Sequence, residues 1–148
     1  MVADSIKTQV MRAVEQVLRT IPELGSVNRW EGRPIDLDTL KTPALFLFEE
    51  EETRDKRNRL AVGIIRLHLM VFISLKPSGL ASFSDMADLI QGKIHNALIT
   101  TTELKGLVEN LVEGPITREF PNDLYGALTM SFDLTYFHNW GDAFSVAH

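Results

Sequence analysis

The chain has 148 residues, of which 45% are hydrophobic and 24% are charged, and this is enough material to bury the core of one domain. It contains no cysteine, so disulfides, thiolate metal sites and thiol nucleophiles are excluded. Its 20 acidic and 15 basic residues give a formal net charge of -5, a sign that disfavours binding to DNA phosphates or to an anionic membrane.

The sequence lacks the patterns of export and membrane segments. The first ten residues, MVADSIKTQV, contain no apolar run as long as that of a signal peptide. The longest apolar-rich stretch, Leu60 to Leu75, is interrupted by Arg66 and His68. We therefore expect a soluble, intracellular protein.

Two segments have the 3.6-residue apolar period of an amphipathic helix. The first helix is predicted over about Asp4 to Ile21, with Asp4 or Ser5 as its N-terminal cap. The second is predicted over about Phe83 to Ile99, with Ser82 as its cap. Their apolar stripes are Ile6, Val10, Ala13, Val14, Val17, Leu18 and Ile21 in the first helix, and Phe83, Met86, Ala87, Ile90, Ile94, Ala97 and Leu98 in the second.

The apolar period changes to two in the segments predicted as strands. Leu60 to Leu75 is the longest of them, with one wholly apolar side and one mixed side. At about 3.3 Å per residue it would reach roughly 50 Å, so part of it is expected to project beyond the domain body. The other predicted strands are a short one near Val27, Ala44 to Phe48, Val108 to Phe120 with a bulge or edge position at Gly114-Pro115, and Leu128 to Tyr136.

Together these elements predict an α+β fold in a single domain, residues 1-148. The order is helix, short strand, two hairpin strands, helix and two hairpin strands. The simplest arrangement that buries all the apolar stripes packs both amphipathic helices on one face of a mostly antiparallel sheet of four to five strands. We expect a long protruding β-hairpin with a charged arm at about 49-59, and a loosely held C-terminal tail at 139-148.

The segment from Glu49 to Arg59 carries five acidic and four basic residues in eleven positions. A solvated hairpin tip is the ordinary explanation of such a segment. However, acidic Glu49 to Glu52 and basic Arg54 to Arg59 are segregated by sign, which suits head-to-tail contacts between copies of the chain. The candidate interface residues are Glu49, Glu50, Glu51, Glu52, Arg54, Asp55, Lys56, Arg57 and Arg59, together with Trp30 and Trp140.

The two tryptophans enter this set because they lie outside the clear periodic core positions, as do Phe137 and Phe144. Such aromatic residues can simply cover a sheet edge or lie under irregular segments. If several of them are exposed together they mark an interface, because exposed apolar patches are uncommon on monomers.

No pattern in the sequence predicts catalysis, a metal site or a cofactor. The four histidines, His68, His95, His138 and His148, have neither i, i+4 spacing nor a completing carboxylate, so dispersed histidines are expected. Successive glutamates of a strand point to opposite faces, so Glu49 to Glu52 do not form a cation cage. No serine lies in a nucleophile elbow, and the glycines form no phosphate loop. We expect a protein that is not an enzyme.

The order of the elements resembles a known family. An amphipathic N-terminal helix, the segment Pro-Ala-Leu-Phe-Leu-Phe at 43 to 48, a charged hairpin tip and a long strand precede a second amphipathic helix. The segment Leu-Thr-Met-Ser-Phe-Asp-Leu-Thr-Tyr at 128 to 136 then closes the pattern. This order, over about Ile6 to Tyr136, is similar to that of the tail terminator (tail completion) proteins of tailed bacteriophages and prophages, the minor tail protein U type.

The resemblance implies a structural protein without catalytic site or cofactor, located at the head-proximal end of the virion tail and assembled in the host cytoplasm. Such proteins form a ring, commonly of six copies, on the last ring of the tail tube protein. The ring stops tube growth and presents a surface to head-completion or neck proteins, and to the sheath in contractile tails. An acidic protein is compatible with DNA passing through such a ring without sequence-specific binding.

Two other functions stay open from the sequence. A neck protein that joins head and tail would leave tail length unaffected and abolish only head attachment. An α+β domain unrelated to phages, binding a small ligand between helices and sheet, should contain a closed apolar pocket with convergent polar groups.

Overall fold

The computed structural model describes residues 5–30, 32–57, 60–75 and 79–139. In chain order the elements are α1 (Ile6–Leu18), β1 (Ser26–Arg29), a short 3-10 helix (Leu37–Thr39), β2 (Ala44–Arg57), β3 (Leu60–Ser74), α2 (Gly79–Thr100), α3 (Thr102–Leu107), β4 (Asn110–Glu119) and β5 (Tyr125–Asn139). The predictions on Asp4, Arg59, Trp140, Phe144 and His148 lie outside the described residues.

The strands form one five-stranded sheet in the order β1-β2-β3-β5-β4. β1 pairs with β2 in parallel, and the other three pairings are antiparallel. The predicted α+β class with a mostly antiparallel sheet is confirmed. β3 is central because β2 pairs with one of its sides and β5 with the other, and the β3–β5 ladder runs from Leu60↔Asn139 to Ser74↔Tyr125.

The main core lies between the helices and one face of the sheet. Alternate residues of β3, from Ile65 to Ile73, are buried there, which is the side that the sequence predicts to be wholly apolar. The apolar stripes of α1 and α2 cover this face because both helices and sheet must remove apolar surface from water. Residues of this core that are completely buried include Val10, Val14, Leu18, Leu45, Leu47, Leu69, Ile90, Ile94, Met130 and Phe132.

A second, smaller core lies on the opposite face of the sheet. Ala44, Phe46, Phe72 and Ala127 are its buried members. Ile35, Leu37, Leu40 and Met70 pack against them. The first three belong to the connection between β1 and β2, which must cross a face of the sheet because those strands are parallel. Among the described residues, no α-helix contributes to this smaller core.

The helix boundaries differ from the predicted ones. α1 is shorter at its C-terminal end, and the Ser5 side chain caps it by accepting a hydrogen bond from the Thr8 backbone N–H at 3.2 Å. α2 begins at Gly79, so the prediction of Ser82 as its cap is wrong. Helix α3 was not predicted. Leu104 is its single buried residue, and one buried position cannot produce an apolar period in the sequence.

The charged run is mostly strand rather than hairpin tip. β2 continues through Arg57 and pairs with β3 from Ala44↔Phe72 to Arg57↔Leu60. Backbone pairing with β3 outweighs the weak strand preference of Glu, Asp and Lys, because that preference spans only about 1 kcal/mol. Whether this pair protrudes beyond the domain body stays a prediction.

β4 has the interruption that the sequence predicts. It forms one edge of the sheet, and its register with β5 shifts between Glu113 and Ile116, where Gly114 and Pro115 lie. A Cβ at Gly114 would approach the Ser131 Oγ to 2.5 Å, so the bulge brings the backbone close to β5. No helix within the described ranges is long and apolar enough to cross a membrane.

Candidate interaction surface

The predicted interface residues divide into three groups in the structure. Trp30, Glu49 and Glu50 are described with their side chains. Glu51 to Arg57 are described as strand backbone, and their side chains lie outside the described part. Arg59 and Trp140 lie outside it altogether. Trp30, Glu49 and Glu50 all lie near the end of β1, but Glu49 is on the face that meets α1, whereas Trp30 and Glu50 are on the opposite face.

Glu50 is the extra residue of a β-bulge. Glu49 pairs with Leu67 and Glu51 pairs with the next residue, Arg66, so Glu50 has no register partner on β3. Glu49 and Glu50 contact different groups as a result. The Glu50 Oε2 lies 2.5 Å from the His68 Nε2.

Glu49 belongs to a charged cleft between α1 and the sheet. Its Oε1 lies 3.8 Å from the Lys7 Nζ and 3.7 Å from the Arg29 Nη2. Its Oε2 is buried and makes no hydrogen bond to any described group. The cleft has a volume of about 360 Å³ and is lined by Lys7, Thr8, Met11, Arg12, Glu15, Arg29 and Glu49. These contacts lie within one chain, so contact of Glu49 with a partner stays a prediction.

An aromatic row crosses the sheet on the face opposite the helices. The Trp30 ring meets the Phe48 ring edge-on at a centroid distance of 5.1 Å. Phe48 in turn stacks on His68, with centroids 5.1 Å apart and an interplanar angle of 12°. The Trp30 Nε1 donates a hydrogen bond to the Arg33 carbonyl at 2.9 Å, which holds the indole in place. We call Trp30, Phe48 and His68 the aromatic row.

Beside the aromatic row lies a surface hollow of about 280 Å³, lined by Trp30, Arg33, Pro34, Ile35, Phe46, Phe48 and Met70. Trp30 is 42% exposed although it is a large apolar side chain. An exposed aromatic side chain beside an apolar hollow is typical of protein interfaces. Trp30 was predicted from the sequence as a candidate interface residue, and its contact with a partner stays a prediction.

Phe48 and His68 were not among the interface residues predicted from the sequence. A signal was present, because Leu45 and Leu47 alternate with Phe46 and Phe48, so both sides of this strand carry apolar side chains. One side meets the helices, and the other must be covered by the β1–β2 connection or by a partner.

The remainder of this sheet face carries both polar and apolar side chains, among them the exposed Ile64 and Val112. Asp133 accepts a hydrogen bond from the Arg66 Nε at 3.2 Å across the β3–β5 pair. The described histidines lie on three separate elements, β3, α2 and β5. His95 contacts Glu113 at 2.9 Å. Within the described ranges, no group of three or more His, Asp or Glu residues could hold a metal ion.

No protein-family model matches the sequence, and no curated protein matches it significantly. The function is therefore inferred from the order of the elements and from the surfaces described above.

Proposed function

We propose that the protein is a tail terminator of a tailed bacteriophage or prophage. In this role copies of the chain form a ring, of six by analogy with the family, on the last ring of the tail tube. The ring stops polymerisation of the tube and offers an attachment surface to the neck and, in a contractile tail, to the sheath. The supporting observation is the order of elements: an N-terminal helix, a long antiparallel strand pair, a long second helix and a closing strand in one sheet.

The surfaces of the molecule suit a protein that acts by docking. The helices cover one face of the sheet, whereas the aromatic row and its hollow lie on the other. A tube protein or neck protein could insert an apolar side chain into the hollow against Trp30. The aromatic row lies on a sheet whose other face is packed against the core, and a rigid docking surface lowers the entropy cost of association.

The hollow is less suited to a small ligand. Its lining is apolar apart from Arg33, so it lacks the convergent polar groups that usually orient a small ligand. It is also open to solvent rather than enclosed between helices and sheet. At the hollow we therefore favour a protein partner over a small ligand.

Deletion of the gene in the parent phage tests the proposal. A tail terminator is required to stop tube growth, so electron microscopy of the deletion lysate should reveal tubes of irregular and excessive length. Tubes of normal, uniform length would refute the proposal. Normal tubes that lack heads would instead identify a neck protein.

A point variant tests the docking surface in the same assay. Complementation with Trp30→Ala should give at least about tenfold fewer infectious particles, because an aromatic anchor typically contributes about 2 kcal/mol or more to an interface. Ile64→Ala is the matched control, since Ile64 is 36% exposed on the same sheet face but outside the aromatic row. Equal titres for the two variants would exclude the aromatic row from the docking surface.

A further inference from the structure

The outer edge of β2 is open beyond β1. β1 pairs only with Ala44–Leu47, and the Trp30 backbone N–H donates the last hydrogen bond on this side, to the Leu47 carbonyl at 3.0 Å. β2 continues for ten more residues, to Arg57, and its inner side is paired with β3. No other described strand pairs with the outer side of Glu49 to Arg57. An unpaired strand edge of this length is a template for another strand.

The opposite edge of the sheet is less suited to pairing. β4 forms that edge and contains Pro115, which has no backbone N–H, within a bulge. Pro115 has no backbone N–H to donate to an added strand, so it interrupts pairing along this edge. The segment Glu49 to Arg57, which we call the β2 edge, is therefore the better site for strand addition.

We propose that the β2 edge pairs with the β2 edge of a second copy of this chain, antiparallel and centred on Thr53. The charges support this register. Opposite charges are then neighbours across the two strands in three kinds of pair, each formed twice: Glu52 lies directly opposite Arg54, and beyond the bulge at Glu50 the pairs Glu50 with Lys56 and Glu49 with Arg57 are opposite or diagonal. Only Glu51 with Asp55 brings like charges together.

Parallel pairing in register would instead place every charge opposite its own copy. Four glutamates would then face four glutamates, and each basic residue would face a basic residue. Antiparallel pairing of nine residues also supplies about eight backbone hydrogen bonds between the copies. Charge selects the orientation, and the backbone provides much of the contact.

This dimer does not depend on the proposed function. A two-fold contact is satisfied by two copies, so it cannot by itself build a ring of six. It therefore concerns the free protein and differs from the head-to-tail contact of a ring. Loss of the dimer would leave the tail-length prediction untouched, and normal tails in the deletion phage would leave the dimer untouched.

Paired charge reversals on the full chain provide the test. The variant Arg54→Glu, Lys56→Glu makes the β2 edge almost wholly acidic, and the variant Glu50→Lys, Glu52→Lys makes it mostly basic. Glu49 and Arg57 are left unchanged because Glu49 already contacts Lys7 and Arg29. Each variant alone should lose at least about tenfold in dimer affinity, because two kinds of attractive pair become repulsive. The equimolar mixture should regain dimer, because every altered pair is again of opposite sign.

Sedimentation velocity over a range of protein and NaCl concentrations measures these equilibria, with circular dichroism as the check on folding. Wild-type protein should dimerise, and the dimer should weaken in 1 M NaCl. Asp55→Lys should tighten the dimer by about fivefold or more, since it turns the like-charge pair with Glu51 into an attractive one.

Three results would overturn the proposal. The first is a wild-type protein that stays monomeric at all concentrations tested. The second is a dimer that neither charge-reversed variant weakens, which would locate the contact elsewhere. The third is a mixture of the two folded variants that forms no more dimer than each variant alone. An unchanged affinity for Asp55→Lys would overturn the register centred on Thr53.

Discussion

Gly63 is the position at which a single methyl group should do the most harm to the sheet. It lies on β3 directly opposite Tyr136 of β5. A Cβ at Gly63 would overlap the Cζ and Oη atoms of the Tyr136 ring. Tyr136 is 1% exposed, so its ring cannot move aside into solvent without leaving the core. The Tyr136 ring therefore occupies the space that a side chain at position 63 would need.

The expected cost of Gly63→Ala follows from two opposing effects. Overpacking a buried site destabilises a protein by about 1 to 3 kcal/mol. Replacing glycine by alanine in a strand without a clash would stabilise it by roughly 0.5 to 1 kcal/mol. Because the overlap involves atoms of a rigid ring, the first effect should dominate, with a net loss of about 1 to 2 kcal/mol. The midpoint of thermal unfolding should fall by roughly 3 to 8 °C.

Urea unfolding of Gly63→Ala measures this loss, and Gly92→Ala is the matched control. Gly92 lies within α2, where an added Cβ would meet nothing within 4 Å. The control should gain about 0.5 to 1 kcal/mol, since alanine is the better helix former. A Gly63→Ala protein as stable as the wild type would refute the packing account.

The same substitution in a Tyr136→Leu background separates the clash from other causes. Leucine lacks the atoms that overlap the added Cβ, so Gly63→Ala should then be neutral or slightly stabilising. The coupling between the two positions should be at least about 1 kcal/mol. An equal loss in both backgrounds would show that the ring is not the cause.

Three further substitutions test other parts of the fold. Leu69→Ala, at a completely buried position, should lower the free energy of unfolding in urea by about 2 to 5 kcal/mol. Ile64→Ala, on the exposed side of the same strand, should lower it by less than about 1 kcal/mol. Similar losses for the two variants would contradict the assigned faces of β3. Ser5→Ala removes the α1 cap and should cost about 1 kcal/mol, unlike Ser5→Asp, which retains an acceptor. Arg66 and Asp133 are both about half exposed, so a double-mutant cycle should give a coupling energy of at most about 1 kcal/mol, and a smaller one in 1 M NaCl. A larger coupling energy that does not depend on salt would be inconsistent with a surface ion pair.

The local elements of the fold were largely predictable. The two amphipathic periods mark α1 and α2, and the wholly apolar side of Leu60 to Leu75 is the side of β3 that meets the helices. These signals are strong because the side chains along a helix or strand point to the core or to solvent at a regular period, which the apolar residues follow. Helix ends were less predictable, since α2 begins at Gly79, four residues before the predicted start at Phe83.

The interaction surface was predictable only in part. Trp30 was identified because it stands outside any apolar period, and the charged run because of its composition. The aromatic row could not be foreseen, since it joins Trp30, Phe48 and His68 from three positions that are distant in the sequence. Their contact depends on which strands are neighbours, and strand order has no local signature.

By itself the sequence determined the fold class, the apolar side of the central strand and the absence of any cysteine chemistry, because composition and period are properties of neighbouring residues. Only the tertiary structure decided that β5 lies beside β3, that Glu50 forms a bulge, and that β1 ends early enough to leave the β2 edge open. Each of these depends on backbone hydrogen bonds between residues far apart in the chain. Such pairings are chosen by the packing of the whole sheet, so no short segment encodes them.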